Sequence, residues 1–440
     1  MKLCMISLGC DKNLVDSEMM LGFLNRGNVS VTDDPGEADV MIVNTCCFIL
    51  DAKDESIRAI LDAAEWKKKG SLKALIVTGC MAERYKEEVL REIPEIDAVV
   101  GTASYDKIEE VLNRVLEGER VQAFLDLDRL PAVSEKRLIS AFGCCGYLKI
   151  AEGCDKHCTY CIIPSLRGQY RSYPMEALVA QAEQMAAAGV KELILVAQET
   201  TVYGKDLYGK KKLPTLLRKL CRVKGIRWIR ILYCYPEEIT EDLIACMAKE
   251  KKICRYLDLP IQHANDSVLK RMGRRTGKAD LIALISKLRA AMPDIALRTT
   301  LISGFPGETE ADHRELLQFV KAMRFDRLGV FPYSQEEGTA AARYSGQLTQ
   351  RTKEKRRDEI MKLQQTISRD KLKEKIGSVM DVLVEGYLPE NQTYVGRTYM
   401  DAPDVDGYLF FDSERELLSG EFVKVLVTEA SEYDLRGELI

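Results

Sequence analysis

Several things the chain lacks narrow the field before any motif is read. No run reaches the roughly 18 apolar residues that a helix needs to cross a bilayer. The opening MKLCMISLGC has no apolar h-region ahead of a small-residue cleavage site, so secretion is not expected and a cytoplasmic location is. A basic excess is missing too. The net charge is −4 over 440 residues, too little positive charge for a binder that works by neutralising many phosphates. There is no low-complexity segment and no internal repeat beyond a strand-helix rhythm. With 46% hydrophobic and 30% charged residues, a wholly disordered or collagen-like chain is excluded. The length predicts two or three domains. Cysteine, by contrast, is plentiful at fourteen residues. In a reducing compartment, cysteines are metal ligands, nucleophiles or buried fillers rather than disulfides.

The pattern predicts an α/β protein of three domains. Residues 1–115 alternate strand-like and helix-like stretches (LCMISLG, VDSEMMLGFLNRG, DVMIVNT, SIRAILDAAEWKKKG, ALIVTG, RYKEEVLREI), which implies an N-terminal open parallel α/β sheet. Residues 116–140 read as a charged linker. Over 141–372 six apolar runs (YLKIAEGC, ELILVAQE, WIRILYC, YLDLPIQH, ALRTTLISG, RLGVFPYS) alternate with helical patterns. They fit a partial (β/α)6 barrel with chemistry at the C-terminal strand ends. A charged helix then leads to residues 373–440, whose short alternating runs predict a small antiparallel β-barrel.

Two sets of cysteines carry the chemistry. GCDKHCTYC places Cys154, Cys158 and Cys161 at C-x3-C-x2-C just after the first barrel strand. Three thiolates on so short a loop can hold three corners of a 4Fe-4S cube and leave the fourth iron open to a small molecule. The competing reading is a zinc site with His157 as its fourth ligand. Cys10, Cys46 and Cys80 each follow an expected parallel strand, with 35 and 33 residues between them, about one βα unit each time. Strand ends of such a sheet face one crevice, so the three thiols should converge as a second cluster site. Cys47 is a possible competitor of Cys46, though its side chain should point differently.

The C-x3-C-x-aromatic-C string resembles the radical S-adenosylmethionine superfamily. That resemblance implies S-adenosylmethionine on the open iron, reductive cleavage to a 5′-deoxyadenosyl radical, and Tyr160 against the adenine. Two clusters in this domain order are similar to the methylthiotransferases, with a second 4Fe-4S cluster in the N-terminal domain and a C-terminal TRAM barrel. In that family a methylthio group is inserted at an unactivated C–H bond. The stretches SLGCDKNLVDSE, YLKIAEGCDKHCTYCIIPSLRG, AQETTVYGKDLYG, LDLPIQHANDSVLKRMGR, FDRLGVFPYSQEEGT and DAPDVDGYLFF resemble the branch that modifies the β-carbon of an aspartate in ribosomal protein S12. The alternative is the branch acting on a modified adenosine in tRNA, which shows GCQMN where this chain has GCDKN. A non-enzymatic iron-sulfur carrier is the contrasting class. Where the S12 branch reads FRYSPEEGT, position 332 here is proline, so no arginine acts there.

Charge distribution favours the protein substrate. Residues 376–440 hold fourteen Asp and Glu against four Lys and Arg, a net −10, leaving +6 for residues 1–375. An acidic barrel repels tRNA but complements a basic ribosomal protein. The expected partners, as the resemblance implies them, are ribosomal protein S12, free or in the small subunit, and an electron donor. Neither a membrane nor direct nucleic-acid binding is expected to dominate.

Other positions carry open alternatives. Gln198 and Glu199 end the second barrel strand, and Gln262 and His263 the fourth. Each is a cofactor or substrate contact or a loop cap. Arg298 pairs with the cofactor's carboxylate or makes a structural ion pair. Gly304, in LISGFPGET, allows close approach to the adenine or simply a tight turn. His313 is expected at the solvent surface. Trp66 and Trp228 are expected in packing, as are Cys4, Cys144, Cys145, Cys221, Cys234, Cys246 and Cys254.

Overall fold

Apolar, β-branched stretches with no polar alternation can only be satisfied when both faces of a strand are covered. Two strands of the N-terminal region, VMIVNT and ALIVTG, are buried at every position. In the computed structural model, which describes residues 1–25, 29–134, 136–139 and 144–440, they are β3 (Val40–Thr45) and β4 (Ala74–Gly79). Around them lie β1 (Lys2–Ser7), β2 (Ser30–Val31), β5 (Ala98–Val100) and β6 (Val121–Ala123) in the order β2-β1-β3-β4-β5-β6, all parallel. Helices Asp11–Leu24, Leu50–Lys68 and Ile108–Leu116 accompany the sheet. The last buries Ile108, Val111, Leu112 and Val115, the i, i+3, i+4, i+7 stripe of an amphipathic helix. β6 falls inside the stretch expected to be linker. The expected boundary at 140–141 lies outside the described residues.

The chain divides into two compact units, and the division does not follow the order of the sequence. Residues Lys149–Tyr173 and Glu336–Thr339 group with the N-terminal sheet in the first unit. Within it, β8 (Ala151–Glu152) and β9 (Arg171–Ser172) form a short antiparallel ribbon. The central cysteine loop and the helix Ile163–Arg167 lie between them.

Each of the six apolar runs expected of the barrel contributes residues to a strand, and apart from Lys149 these strands lie in the second unit. β7 (Cys145–Lys149) is the outer strand of the set β11-β10-β7, with β10 (Glu192–Val196) and β11 (Trp228–Ile231). β12 (Tyr256–Asp258), β13 (Ala296–Ser303) and β14 (Arg327–Pro332) form the set β12-β13-β14. An isolated parallel bridge joins Ile229 of β11 to Ile253, just ahead of β12. Side-chain caps start several of the intervening helices, for example Thr309 and Asp312 at Glu310–Met323.

The helix Gln350–Lys373 precedes a closed five-stranded barrel made of β15 (Val379–Leu388), β16 (Thr393–Arg397), β17 (Leu409–Asp412), β18 (Phe422–Ala430) and β19 (Leu435–Leu439). Four pairings are antiparallel, and β17 with β19 is parallel. Among the described residues no helix is long and apolar enough to cross a membrane.

Candidate active site: two sets of three cysteines

The N-terminal set follows from sheet register. β1, β3 and β4 are neighbours, and Ser7 pairs with Asn44, Asn44 with Thr78, and Thr45 with Gly79. Their C-terminal ends are therefore level. Cys10 caps the helix Asp11–Leu24, Cys46 follows β3 directly, and Cys80 begins the helix Cys80–Tyr85. Closeness is recorded at Gly9, where an added Cβ would sit 2.6 Å from Cys46 Cβ and 2.8 Å from its Sγ. Gly9 also has φ +88°, so the approach requires glycine. Burial, with Cys80 and Cys10 close by, pushes the Cys46 thiol up to about 12. Burial likewise raises Cys80, against the pull of Arg167. Cys46 and Cys80, held protonated by burial, give up their protons readily only to a metal, and together with Cys10 they form a three-sulfur donor set that fits a cluster.

Polar side chains brace the strand ends. The Asn13 amide donates to Leu8 O at 3.0 Å and Thr45 O at 2.9 Å. Asn44 donates to Asn13 O and to Ser17 Oγ. The Ser56 hydroxyl accepts from Cys46 N at 2.9 Å and donates to Cys46 O at 2.8 Å. Cys47 packs in the hydrophobic cluster that includes Cys80 and Met81. Its carbonyl accepts from Arg84, which also pairs with Glu336 at 3.1 Å.

The central set belongs to the same unit. Gly153, with φ +78°, turns the chain where a Cβ would lie 2.6 Å from Gly168 O, and Cys154 N bonds Gly168 O at 3.1 Å. The loop is closed by Cys161 N to Cys158 O at 3.0 Å, and Lys156 N lies 3.4 Å from Cys154 Sγ. Burial, with Cys158 and Cys154 beside it, raises the Cys161 thiol. Tyr160 is half-buried, and His157, the ligand a zinc site would need, is exposed. Among the described residues no three His, Cys, Asp or Glu side chains converge as ligands of one ion do. Thiolates of a cluster sit on separate irons and stand further apart than those sharing one ion.

The two sets adjoin. Ile162 and Leu166, just past Cys161, pack in the hydrophobic cluster with Cys47, Cys80 and Met81. Arg167 then reaches across: Nη1 lies 2.7 Å from Asp16 Oδ2, and Nη2 bonds Asn13 Oδ1 and lies 3.5 Å from Cys80 Sγ. Lys149 pairs with Asp16 and with Glu152, the latter at 2.6 Å. No spacing or periodicity in the sequence marks this buried network. Its members stand inside quoted motifs (CDKNLVD, IIPSLRG), but only the tertiary fold joins them.

In the second unit Gln198 and Glu199 follow β10, and Glu199 accepts from Thr201 N at 2.9 Å, the role of a loop cap. Gln262 has φ +70° and bridges Leu301. His263 is buried, and its Nδ1 accepts from Asn265 N at 3.0 Å. Burial drives its pKa down to about 3, so it is neutral at physiological pH. Of the two alternatives for Arg298, the structural ion pair is present. It lies near the start of β13, away from the C-terminal strand ends, 2.8 Å from Asp258 and 3.5 Å from Asp406. Gly304, φ +70°, forms a tight turn in which a Cβ would lie 2.9 Å from Lys353 Cβ. Its N–H donates to Glu308 at 2.7 Å.

His313 corrects the sequence expectation. It is 1% exposed, and its Nε2 lies 2.8 Å from Glu359, because the helix Gln350–Lys373 covers its face. Cys145, expected as packing, accepts from Arg397 Nη2 at 2.9 Å beside the buried Glu192. Cys144 Sγ lies 3.7 Å from Cys145 Sγ.

Known proteins agree with this layout. The family described as Uncharacterized protein family UPF0004 matches residues 2–101, the Radical SAM superfamily residues 148–320, and the TRAM domain residues 376–440. The ribosomal protein uS12 methylthiotransferase RimO of Lachnoclostridium phytofermentans is 60% identical over 437 residues, covering 99% of both chains. The chain belongs to this family. RimO of Acetivibrio thermocellus is 50% identical, over 100% of this chain and 98% of its own, and that of Clostridioides difficile 48%, over 100% and 99%. Among solved structures, the radical S-adenosylmethionine methyltransferase TsrM from Kitasatospora setae aligns with TM-score 0.56 at 16% identity. The alignment covers 75% of this chain and 74% of that one. The cobalamin-dependent enzyme OxsB aligns at 0.52 and 16%, over 78% and 54%. At such identity these two share the fold with the family.

Proposed function

We propose that this chain methylthiolates the β-carbon of an aspartate in ribosomal protein S12, as a radical S-adenosylmethionine enzyme with two 4Fe-4S clusters. The observation that carries the reading is the placing of two three-thiol sets in one unit of a chain with this family's full-length similarity. Cys154, Cys158 and Cys161 are assigned the cluster with the open iron, and Cys10, Cys46 and Cys80 the second. When bound, these clusters and S-adenosylmethionine supply the radical and the sulfur that a C–H bond without an acidic proton demands. The protein's own part is to hold each thiol set at a braced strand or loop end and to keep water from it. Tyr160, Gln198 and Gly304 are the positions assigned to S-adenosylmethionine. No protein acid-base pair is required.

The acidic barrel is assigned to recognition of the basic substrate. Of the fourteen acids in residues 376–440 nine are exposed, against three exposed cations, so the surface presents a negative field that favours a basic protein over tRNA. We place the enzyme in the cytoplasm, where this substrate is made.

The test is anaerobic reconstitution with dithionite, S-adenosylmethionine and S12. Replacing Cys154, Cys158 and Cys161 by Ala should abolish 5′-deoxyadenosine. Replacing Cys10, Cys46 and Cys80 should spare that product and abolish methylthiolated S12. Methylthio transfer by the second variant would refute the two-cluster reading.

A further inference from the structure

Arg167 ends the helix Ile163–Arg167 that begins two residues after Cys161, and its side chain is 2% exposed. Burying a guanidinium is costly unless its donors are all used. Asp16 and Glu152 stand ready to accept from it, Asp16 at 2.7 Å and Glu152 at 3.5 Å. Lys149 shares both carboxylates, so the two cations and two carboxylates balance in charge. A purely structural ion pair would turn both terminal guanidinium nitrogens to these acids. Instead Nη2 is directed to Asn13 Oδ1 and to Cys80 Sγ at 3.5 Å. Asn13 in turn is anchored to the ends of the strands that carry Cys10 and Cys46.

A guanidinium gains little from a neutral thiol and much from a thiolate. The geometry is therefore built for an anionic sulfur. Reduction of an iron-sulfur cluster adds negative charge that its cysteine sulfurs share, and hydrogen bonds to those sulfurs are one of the levers that set its potential. We propose that Arg167 is a positioning residue that holds the Cys80 sulfur and raises the reduction potential of the N-terminal cluster. This rests on the assignment of Cys80 as a cluster ligand. Because the side chain issues from the helix that follows the central cysteine loop, it also ties the setting of one cluster to the backbone that carries the other.

The experiment uses the full-length chain with Cys154, Cys158 and Cys161 replaced by Ala, reconstituted anaerobically so that only the N-terminal cluster is present. Iron and sulfide content and an EPR-monitored redox titration are measured for this parent, for Arg167→Gln and for Arg167→Lys. The expected result is one cluster in each, a midpoint shifted to lower potential in Arg167→Gln, and a smaller shift in Arg167→Lys, which keeps the charge but not the fork. Equal midpoints in all three would overturn the proposal. Should Arg167→Gln fail to fold, Arg167→Lys decides, since it retains a cation for Asp16 and Glu152: an unshifted midpoint there overturns the proposal, and a lowered one supports it. A parent that binds no iron would instead overturn the ligand assignment of Cys10, Cys46 and Cys80.

Discussion

Replacing Gly79 by Ala should remove the N-terminal cluster while leaving radical generation in place. Gly79 sits between β4 and Cys80 with φ 93° and ψ −159°, a region essentially restricted to glycine, where other residues store about 1–3 kcal/mol of strain. The new Cβ would also stand 2.5 Å from Thr45 O and 2.8 Å from Thr45 N. Those atoms are backbone at the end of β3 and cannot rotate away. Overpacking of this kind adds roughly 1–3 kcal/mol. The combined cost, on the order of 2–6 kcal/mol, is large against the roughly 5–15 kcal/mol that holds a domain folded. It is relieved most cheaply by parting the strand ends that carry Cys46 and Cys80. Reconstituted Gly79→Ala should therefore bind about half the iron of the parent, still form 5′-deoxyadenosine, and make no methylthiolated S12. Gly70→Ala is the control: φ is +80° but no atom lies within 4 Å of the added carbon. It should lose about 1–2 kcal/mol of stability and keep both clusters. Full iron and full methylthio transfer in Gly79→Ala would refute the reasoning.

Two further outcomes are expected. Glu192 is buried between Arg230 at 2.7 Å and Arg397 at 2.6 Å. Burial opposes its ionisation, yet the two guanidinium groups hold its carboxyl at about 2. Glu192→Gln, which strands buried cations, should cost about 3–5 kcal/mol at neutral pH, read as a lowered urea midpoint. Because the folded carboxyl lies below its unfolded value of about 4.3, that stability is present above the unfolded value and is lost as pH falls toward 2. The gap between the two proteins should narrow over that interval, and a gap independent of pH would show that packing rather than charge is responsible. On the barrel, Glu414→Lys with Glu416→Lys reverses two exposed charges. S12 association should slow several-fold at low salt and differ little at high salt in stopped-flow measurements. Equal association rates at low salt would remove the barrel from substrate steering.

What the sequence determined by itself is local or periodic. Strands covered on both faces are predominantly apolar, so β3 and β4 were legible as runs, each of the six expected barrel runs contributes to a strand, and the short alternating runs of the C-terminal segment resolve into a five-stranded barrel. The phase of Cys10, Cys46 and Cys80 against those runs placed them at strand ends, because a parallel sheet brings successive C-terminal ends to one edge. The short spacing of Cys154, Cys158 and Cys161 needed no fold at all. Only the tertiary structure decided which elements meet. His313 looked solvated among charged neighbours until the helix Gln350–Lys373 covered it. Arg298 could serve either a ligand or an ion pair until Asp258 and Asp406 were placed beside it. β6 could not be told from linker, since a three-residue edge strand has no period to read. Arg167 met Cys80 across 87 positions, a distance over which no pattern in the sequence carries information. Residue chemistry and spacing named the two cysteine sets, and long-range packing alone supplied the charged groups that surround them.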